Sequence, residues 1–419
     1  MFKPVIIVIM GNRKYERSDI INKTIIWIFI LYFFQGVIHN LGHPVTPYLV
    51  SNLGIDDYMF GVFFAAMSFG LMIGAPIWGI LGDRGNKRIY MALGLIVYSI
   101  GQFMFGYSGN QYIMVLFRFI AGFGVAASVT LLLSHLIYLA PKEERTKYIA
   151  WSVAVSTIGS SIGYYLGGFM STNQFFIDWL GTDDLKRIFL IQAILNVFHA
   201  LNMYIHIKQD KEPKNNENKV SLIQGFLGIK KMHPNLIIFL ISLTFISIGM
   251  INLSKFIDVY FKELGYNPNE LGTFVFWTGI VSLLTSIFIV PIVVRYKKEL
   301  SIMIWIQVIN SVIIFIVFRG NNFLLLVYTI FMIYVILKAV YSPLEQNFIS
   351  TFAHNGKYGT VMGVRQSFFA IGMVIGPLIG GFLYDIKPLY VFDFSILMFL
   401  LGMILLFSVR KRLRKEVAA

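Results

Sequence analysis

Long apolar stretches separated by short polar breaks run along this chain from end to end. Bilayer hydrocarbon is about 30 Å thick, so a crossing helix needs about 20 mainly apolar residues. Reading each stretch between its breakers predicts spans over 24–49, 58–81, 88–107, 111–139, 147–170 and 187–207, then over 236–261, 271–294, 300–318, 322–349, 359–384 and 389–409. A membrane barrel would instead show roughly ten-residue segments alternating apolar and polar. Leu236 to Gly249 is apolar on both alternating faces, interrupted only by hydroxyl residues. Hydrocarbon offers backbone groups no water, and helices satisfy them internally. The expected fold is therefore an all-α membrane protein of twelve transmembrane helices. Segment 208–235, which holds KQDKEPKNNENK, is too charged to span and reads as a solvated cytoplasmic linker with a short surface helix after Val220. It separates an N-terminal segment 1–23 and a six-helix bundle 24–207 from a second bundle 236–409 and a tail 410–419.

Composition agrees that water is not the solvent: 13% of residues are charged, against about 25% in a soluble domain. Cysteine is absent, which excludes disulfides, thiolate metal sites and cysteine nucleophiles. The net charge of +14 is organised by position, since 26 of the 35 Lys and Arg residues lie at the termini and in or beside the even-numbered loops. Odd-numbered loops hold five: Lys186, Arg187, Lys262, Arg319 and Lys387. Translocated short loops are depleted in such residues, so both termini are expected in the cytoplasm, in a multi-pass protein of the cell membrane. An even number of spans follows independently. Basic residues that fall mostly in short loops between apolar spans point to orientation rather than to a nucleic-acid surface. Met1 to Met10 starts like a signal peptide, but its apolar run Val5 to Met10 is too short and no small-residue cleavage site follows. Met10 is an alternative start.

The halves repeat each other about 212 residues apart. Leu53, Gly54 and Gly61 fall on Leu264, Gly265 and Gly272, while Gly159, Gly163, Gly167 and Gly168 fall on Gly372, Gly376, Gly380 and Gly381. Duplication of six spans is implied. Transporters built from repeats commonly bind substrate near the midplane, between the repeats.

Four motifs carry a resemblance. The loop after the second span reads Gly79-Ile80-Leu81-Gly82-Asp83-Arg84-Gly85-Asn86-Lys87-Arg88 and resembles the cytoplasmic loop signature of the major facilitator superfamily. Gly85 stands one place earlier than that family's second glycine, and Asn86 occupies the expected position. Glycines allow a tight turn and close helix approach, Asp83 can meet a helix N-terminus or a cation, and the cluster suits a cytoplasmic latch. Plain positive-inside charge would account for Lys87 and Arg88 but not for Asp83 flanked by glycines. The corresponding Val294 to Glu299 lacks Asp and glycine, so no latch is expected there. Arg118 with Gly122 and Gly124 is similar to the family's arginine-plus-glycine signature of the fourth span. Gly159, Gly163, Gly167 and Gly168, and Gly372, Gly376, Pro377, Gly380 and Gly381, resemble its antiporter-associated element, with Tyr164 standing where a proline is expected; small-residue helix packing alone would give the same pattern. Pro44 and Pro47 resemble the Pro-x-x-Pro ending of the first span in twelve-span drug-efflux members, a packing or hinge feature. The resemblance implies two pseudo-symmetric six-helix bundles and a secondary transporter working by alternating access. It further implies proton-coupled efflux of small amphipathic compounds or drugs, by a monomer without a cofactor.

Coupling requires a group that can gain and lose a proton. The first span has no carboxylate and offers Gln35, His39, Asn40 and His43, of which His39 can titrate near neutrality or serve as a hydrogen-bonded structural residue. Asp258 sits one turn from Lys255, and Glu345 two turns from Lys338, so both carboxylates can form ion pairs along their own helix. Arg118 faces a cavity or a partner unless it snorkels to an interface. With Arg365 it completes four intramembrane cations, which suit an anionic or zwitterionic solute and raise the alternative of an anionic metabolite or lipid-like substrate. No Gly-x-x-x-x-Gly-Lys-Ser/Thr motif is present, so an ion gradient is the expected drive. A membrane enzyme is the rival class. His39 and His43 are its only within-span His pair at metal-ligand spacing, with no further ligand adjacent in sequence, and neither metal nor catalysis is expected.

Overall fold

The computed structural model describes residues 24–84, 86–140, 145–180, 184–207, 233–296, 298–352 and 358–418. The first half comprises α1 (Thr24–Asn40), α2 (Thr46–Asn52), α3 (Tyr58–Arg84), α4 (Lys87–Tyr107), α5 (Gln111–Leu139), α6 (Arg145–Thr172), α7 (Gln174–Leu180) and α8 (Lys186–His206). The second comprises α9 (Pro234–Glu263), α10 (Pro268–Leu284), α11 (Val290–Val294), α12 (Glu299–Arg319), α13 (Phe323–Tyr328), α14 (Ile330–Ser350), α15 (Tyr358–Ile386) and α16 (Pro388–Ala418). Each expected span falls on one of these helices or on a broken pair. Among the described residues, ten helices are long and apolar enough to cross a membrane. The other two spans are the broken α1–α2 and α6, whose apolar run is diluted by Gly, Ser and Tyr. The N-terminal segment 1–23 and linker positions 208–232 lie outside the described residues. Helix α16 continues through the expected tail to Ala418, where Asn235 donates to Glu416 at 3.0 Å.

Two of the helix irregularities follow from proline. Pro44 has no N–H to donate and α1 gives way to turns over 41–45, whereas Pro47 sits in the first turn of α2, where a missing donor costs nothing. Pro291 follows a π turn over Thr285–Ile289, which widens the helix where the proline ring would otherwise meet a carbonyl one turn back.

The duplication is visible in the backbone. Gly54 and Gly265 have φ of +65° and +83° and end α2 and α9. In both turns the glycine N–H bonds back three residues and the next N–H bonds back five, to Val50 and Phe261, a left-handed helix stop that only glycine adopts without strain. The glycine runs also correspond. Gly159, Gly163 and Gly167 lie against the carbonyls of Phe33 and Val37 on α1 and of Leu41 just past its end, and Gly372, Gly376 and Gly380 against Ser247, Ile248 and Asn252 on α9.

Both termini-bearing helix ends lie at one face, here the terminal face; the loops at 53–57 and 264–267 mark the opposite, distal face. Between halves, α3 packs on α15 and α6 on α10. Large apolar side chains such as Phe198, Trp305 and Phe382 project outward, while Gln102, Gln192, Asn196, Asn252 and Asn310 are buried. A protein dissolved in hydrocarbon needs this arrangement, because only its interior can satisfy polar groups.

Candidate functional site

Arg118 lies two turns into α5, whose start is capped by the Asn110 carboxamide oxygen accepting from the N–H groups of Tyr112 and Ile113. Its side chain is only 3% exposed, so it does not snorkel. The guanidinium donates to Gln102 Oε1 at 3.0 Å and Thr46 Oγ1 at 3.4 Å, and stands 3.6 Å from the Phe105 ring centroid. Gln102 in turn donates to the Tyr98 hydroxyl at 2.8 Å. Every one of these partners is uncharged. Gly122 and Gly124 make the arrangement possible: a methyl group at either would overlap Met67 of α3 or the Gly94 and Tyr98 backbone of α4.

At the break in α1, Gln192 of α8 donates to the carbonyls of Ile38 and His39, both at 2.9 Å, and the Ile38 carbonyl also accepts from the Leu41 N–H at 3.4 Å. The His39 ring lies 4.5 Å from that of Tyr98 and neighbours Asn196 and His199. His43 stacks between Phe64 and Tyr164, with centroids at 5.6 and 5.4 Å. Gln35 is buried with its carbonyl oxygen unpartnered, and Asn40 closes a local bond to the Gly36 carbonyl at 2.8 Å.

Across the halves, the Tyr164 hydroxyl donates to Asp258 Oδ2 at 3.0 Å. Tyr164 occupies the position where the family pattern has proline, and the sequence signal for it was that departure alone. Asp258 makes no ion pair within 4 Å with Lys255, whose ammonium instead stands 4.3 Å from the Phe64 ring centroid. Lys338 of α14 likewise has no carboxylate within ion-pair distance. Glu345 does not pair with Lys338 along its helix. It binds Arg365 of α15 in a two-pronged bridge at 2.9 and 2.8 Å. Two turns of helix separate Lys338 from Glu345 by about 10 Å along the axis, whereas the planar guanidinium on the adjacent helix matches both carboxylate oxygens.

A seal closes the distal face. Lys262 pairs with Asp57 at 3.0 Å, and the Tyr48 hydroxyl donates to the Tyr266 carbonyl. Glycines set the closeness of the contact: Gly61 and Gly381 bring α3 onto α15, and Gly168 and Gly272 bring α6 onto α10. Pro377, beside that contact, presents its carbonyl to Gly61. Beneath this seal, Asp258 lies one turn before Lys262, Tyr164 one turn before Gly168, and Arg118 two turns in from the distal end of α5. At the terminal face, Gly85 and the side chains of Asp83 and Arg84 lie outside the described residues. Gly82 packs on Leu131, Gly79 has open space up to Thr130, Lys87 donates to Ser134, and the Arg88 guanidinium lies 4.7 Å from the Tyr204 ring centroid, so these described parts anchor within the first half. Among the described residues no group of three or more His, Asp or Glu side chains is placed to hold a metal.

The sequence pattern of the Major Facilitator Superfamily matches residues 28–298 and again 237–419. Quinolone resistance protein NorA of Staphylococcus aureus is 24% identical over 381 residues, covering 87% of this chain and 92% of that protein. Multidrug resistance protein 1 of Bacillus subtilis is 22% identical over 369 residues, covering 86% and 90%. In fold, the chain matches a bacterial homologue of the human lysosomal transporter Spinster, in its inward-facing and occupied conformation, with a TM-score of 0.74 at 12% identity, covering 92% and 96%. It matches the nucleoside transporter NupG with a TM-score of 0.72 at 13% identity, covering 93% and 99%. The family pattern spans both halves, and together with the helical fold it places the chain among transporters rather than enzymes: it belongs to the major facilitator superfamily.

Proposed function

We propose that the protein exports small amphipathic compounds across the cell membrane in exchange for protons, acting as a monomer with both termini in the cytoplasm. The observation that carries this reading is the Tyr164–Asp258 hydrogen bond, which ties a carboxylate of one half to a hydroxyl of the other beneath the distal seal. A protonated Asp258 would lose the charge that holds this bond and loosen one half from the other. Units 24–207 and 236–409 then rock about the site, exposing it to each side in turn. On this orientation the distal face is external, and the seal at Asp57 and Lys262 marks the state open to the cytoplasm. The Gly79 to Arg88 loop serves as the cytoplasmic latch of the opposite state. Relatives named for quinolone and multidrug resistance support efflux as the direction.

The test is flux in proteoliposomes holding purified protein, with an imposed proton gradient and internal pH read on addition of amphipathic solutes. Asp258→Asn keeps the hydrogen-bond geometry but cannot load a proton, and coupled flux is expected to fall to background while reconstitution stays normal. Undiminished proton-driven flux in that variant would remove Asp258 from coupling.

A further inference from the structure

The interior charge does not balance. Among the described residues, Arg118, Lys255, Lys338 and Arg365 lie within the spans, against Asp258, Glu345 and Asp393, and Asp393 sits near the distal end of α16, where Arg319 takes it up. Glu345 spends both oxygens on Arg365, and Asp258 accepts from a tyrosine. Arg118 has neutral hydrogen-bond partners, and Lys255 and Lys338 have no carboxylate within ion-pair distance. Uncompensated charge in a membrane interior is costly and is retained where it does work. A second observation points the same way. Asn252 stands one turn before Lys255, and Tyr334 and Tyr341 stand one turn to either side of Lys338. All three are 3% exposed or less, and the Asn252 amide and both tyrosine hydroxyls have no partner. These are donors without acceptors beside cations without anions.

We infer that the transported solute is an amphipathic acid, its anionic group held between Lys255 and Lys338 and its apolar body against Phe64. The inference rests on the transporter reading above and narrows its substrate class. Lys255 stands over the Phe64 face, and His43 and Tyr164 continue the aromatic stack, so the charge is bordered by aromatic rings. The neighbouring charged and titratable groups are Asp258 on the Lys255 helix, Arg118 from α5, and His43 and Tyr164 from the first half. Three cations against one carboxylate favour an entering anion and oppose an entering cation.

Three probes of one shape separate charge from hydrophobicity: naphthoate, naphthamide and naphthylmethylammonium, titrated against the intact purified protein by thermal shift. Naphthoate is expected to bind best. Lys255→Gln and Lys338→Gln should each weaken it about tenfold or more, and Lys→Arg at either position should restore it. Circular dichroism checks that each variant keeps its helices. Preference for the ammonium probe, absence of naphthoate binding, or affinity unmoved in both Gln variants overturns the inference. The same probes in proteoliposomes separate it from the transport reading. Naphthoate that binds but is never moved sinks transport and leaves the anion site, whereas proton flux driven by the ammonium probe alone leaves transport and overturns the anion.

Discussion

In the first half the apolar core is divided: Ile25, Ile28, Met91 and Leu132 cluster toward the terminal face, and Leu41, Val45, Phe105 and Phe189 toward the distal face. Between them lies a hydrogen-bonded layer of Tyr98, Gln102, Arg118 and Gln192. In the second half one apolar cluster runs from Leu236 through Phe261 and Phe331 to Val409. Its charges stand along that wall, either paired at once, as Glu345 with Arg365, or unpaired, as Lys255 and Lys338. Two copies of one helical plan thus handle an intramembrane arginine in opposite ways. Arg118 keeps its full charge among neutral partners, available to a third party, while Arg365 is neutralised by its neighbour. The first half holds its charge among neutral partners, and the second holds both a spent pair and two cations without a carboxylate partner.

The largest effect should come from removing the held charge. Arg118→Ala is expected to abolish proton-coupled flux in proteoliposomes while the protein still inserts, because Gln102 and Thr46 lose only a donor. Normal flux would make the first-half layer a structural network and erase the contrast. Next is the spent pair. Glu345→Gln should cost about 3–5 kcal/mol in unfolding measurements by stranding Arg365, and the double variant with Arg365→Gln should recover much of it. Equal losses in single and double variants would mean the pair is not coupled. The glycine runs allow a finer comparison. At Gly163 a methyl group overlaps the Val37 carbonyl, whereas at Gly376 the nearest atom, the Ile248 carbonyl oxygen, is 3.3 Å away. Gly163→Ala should therefore destabilise by about 1–3 kcal/mol, and Gly376→Ala by clearly less in the same thermal scan. Equal costs would show that the α9–α15 contact is as tight as the α1–α6 contact. The smallest change in stability is expected from Asp57→Asn, about 0–1 kcal/mol for a partly exposed pair; its effect should appear as easier labelling of the distal face by an impermeant reagent.

The glycine comparison bears on how the antiporter-associated element is understood. In both halves these glycines bring one helix against another, and the added Gly168 and Gly381 carry that closeness across the halves at Pro268 and Tyr58. Spans, breaks and the repeat were legible because they are local: hydropathy over some twenty residues, a proline without a donor, and a Leu-Gly stop recurring in each half. Arg118 was legible because an ionised side chain inside a span demands a partner whatever the fold. Its partners were not, since Gln102 and Thr46 look like ordinary polar residues until α4 and α2 are set beside α5. Tyr164 was hidden more deeply, having no distinction in sequence beyond replacing a proline.

The sequence by itself determined that this chain crosses a membrane as repeated bundles of helices, where each bundle turns, and which side chains carry charge into hydrocarbon. These follow from transfer energies and backbone geometry, which depend on residue type and near neighbours. Only the tertiary structure decided that Glu345 answers Arg365 rather than Lys338, that Asp258 meets a tyrosine from the other half, and that Lys255 and Lys338 are left without an anion. Pairing is a matter of distance and orientation between helices far apart in the chain, and hydropathy carries no information about either.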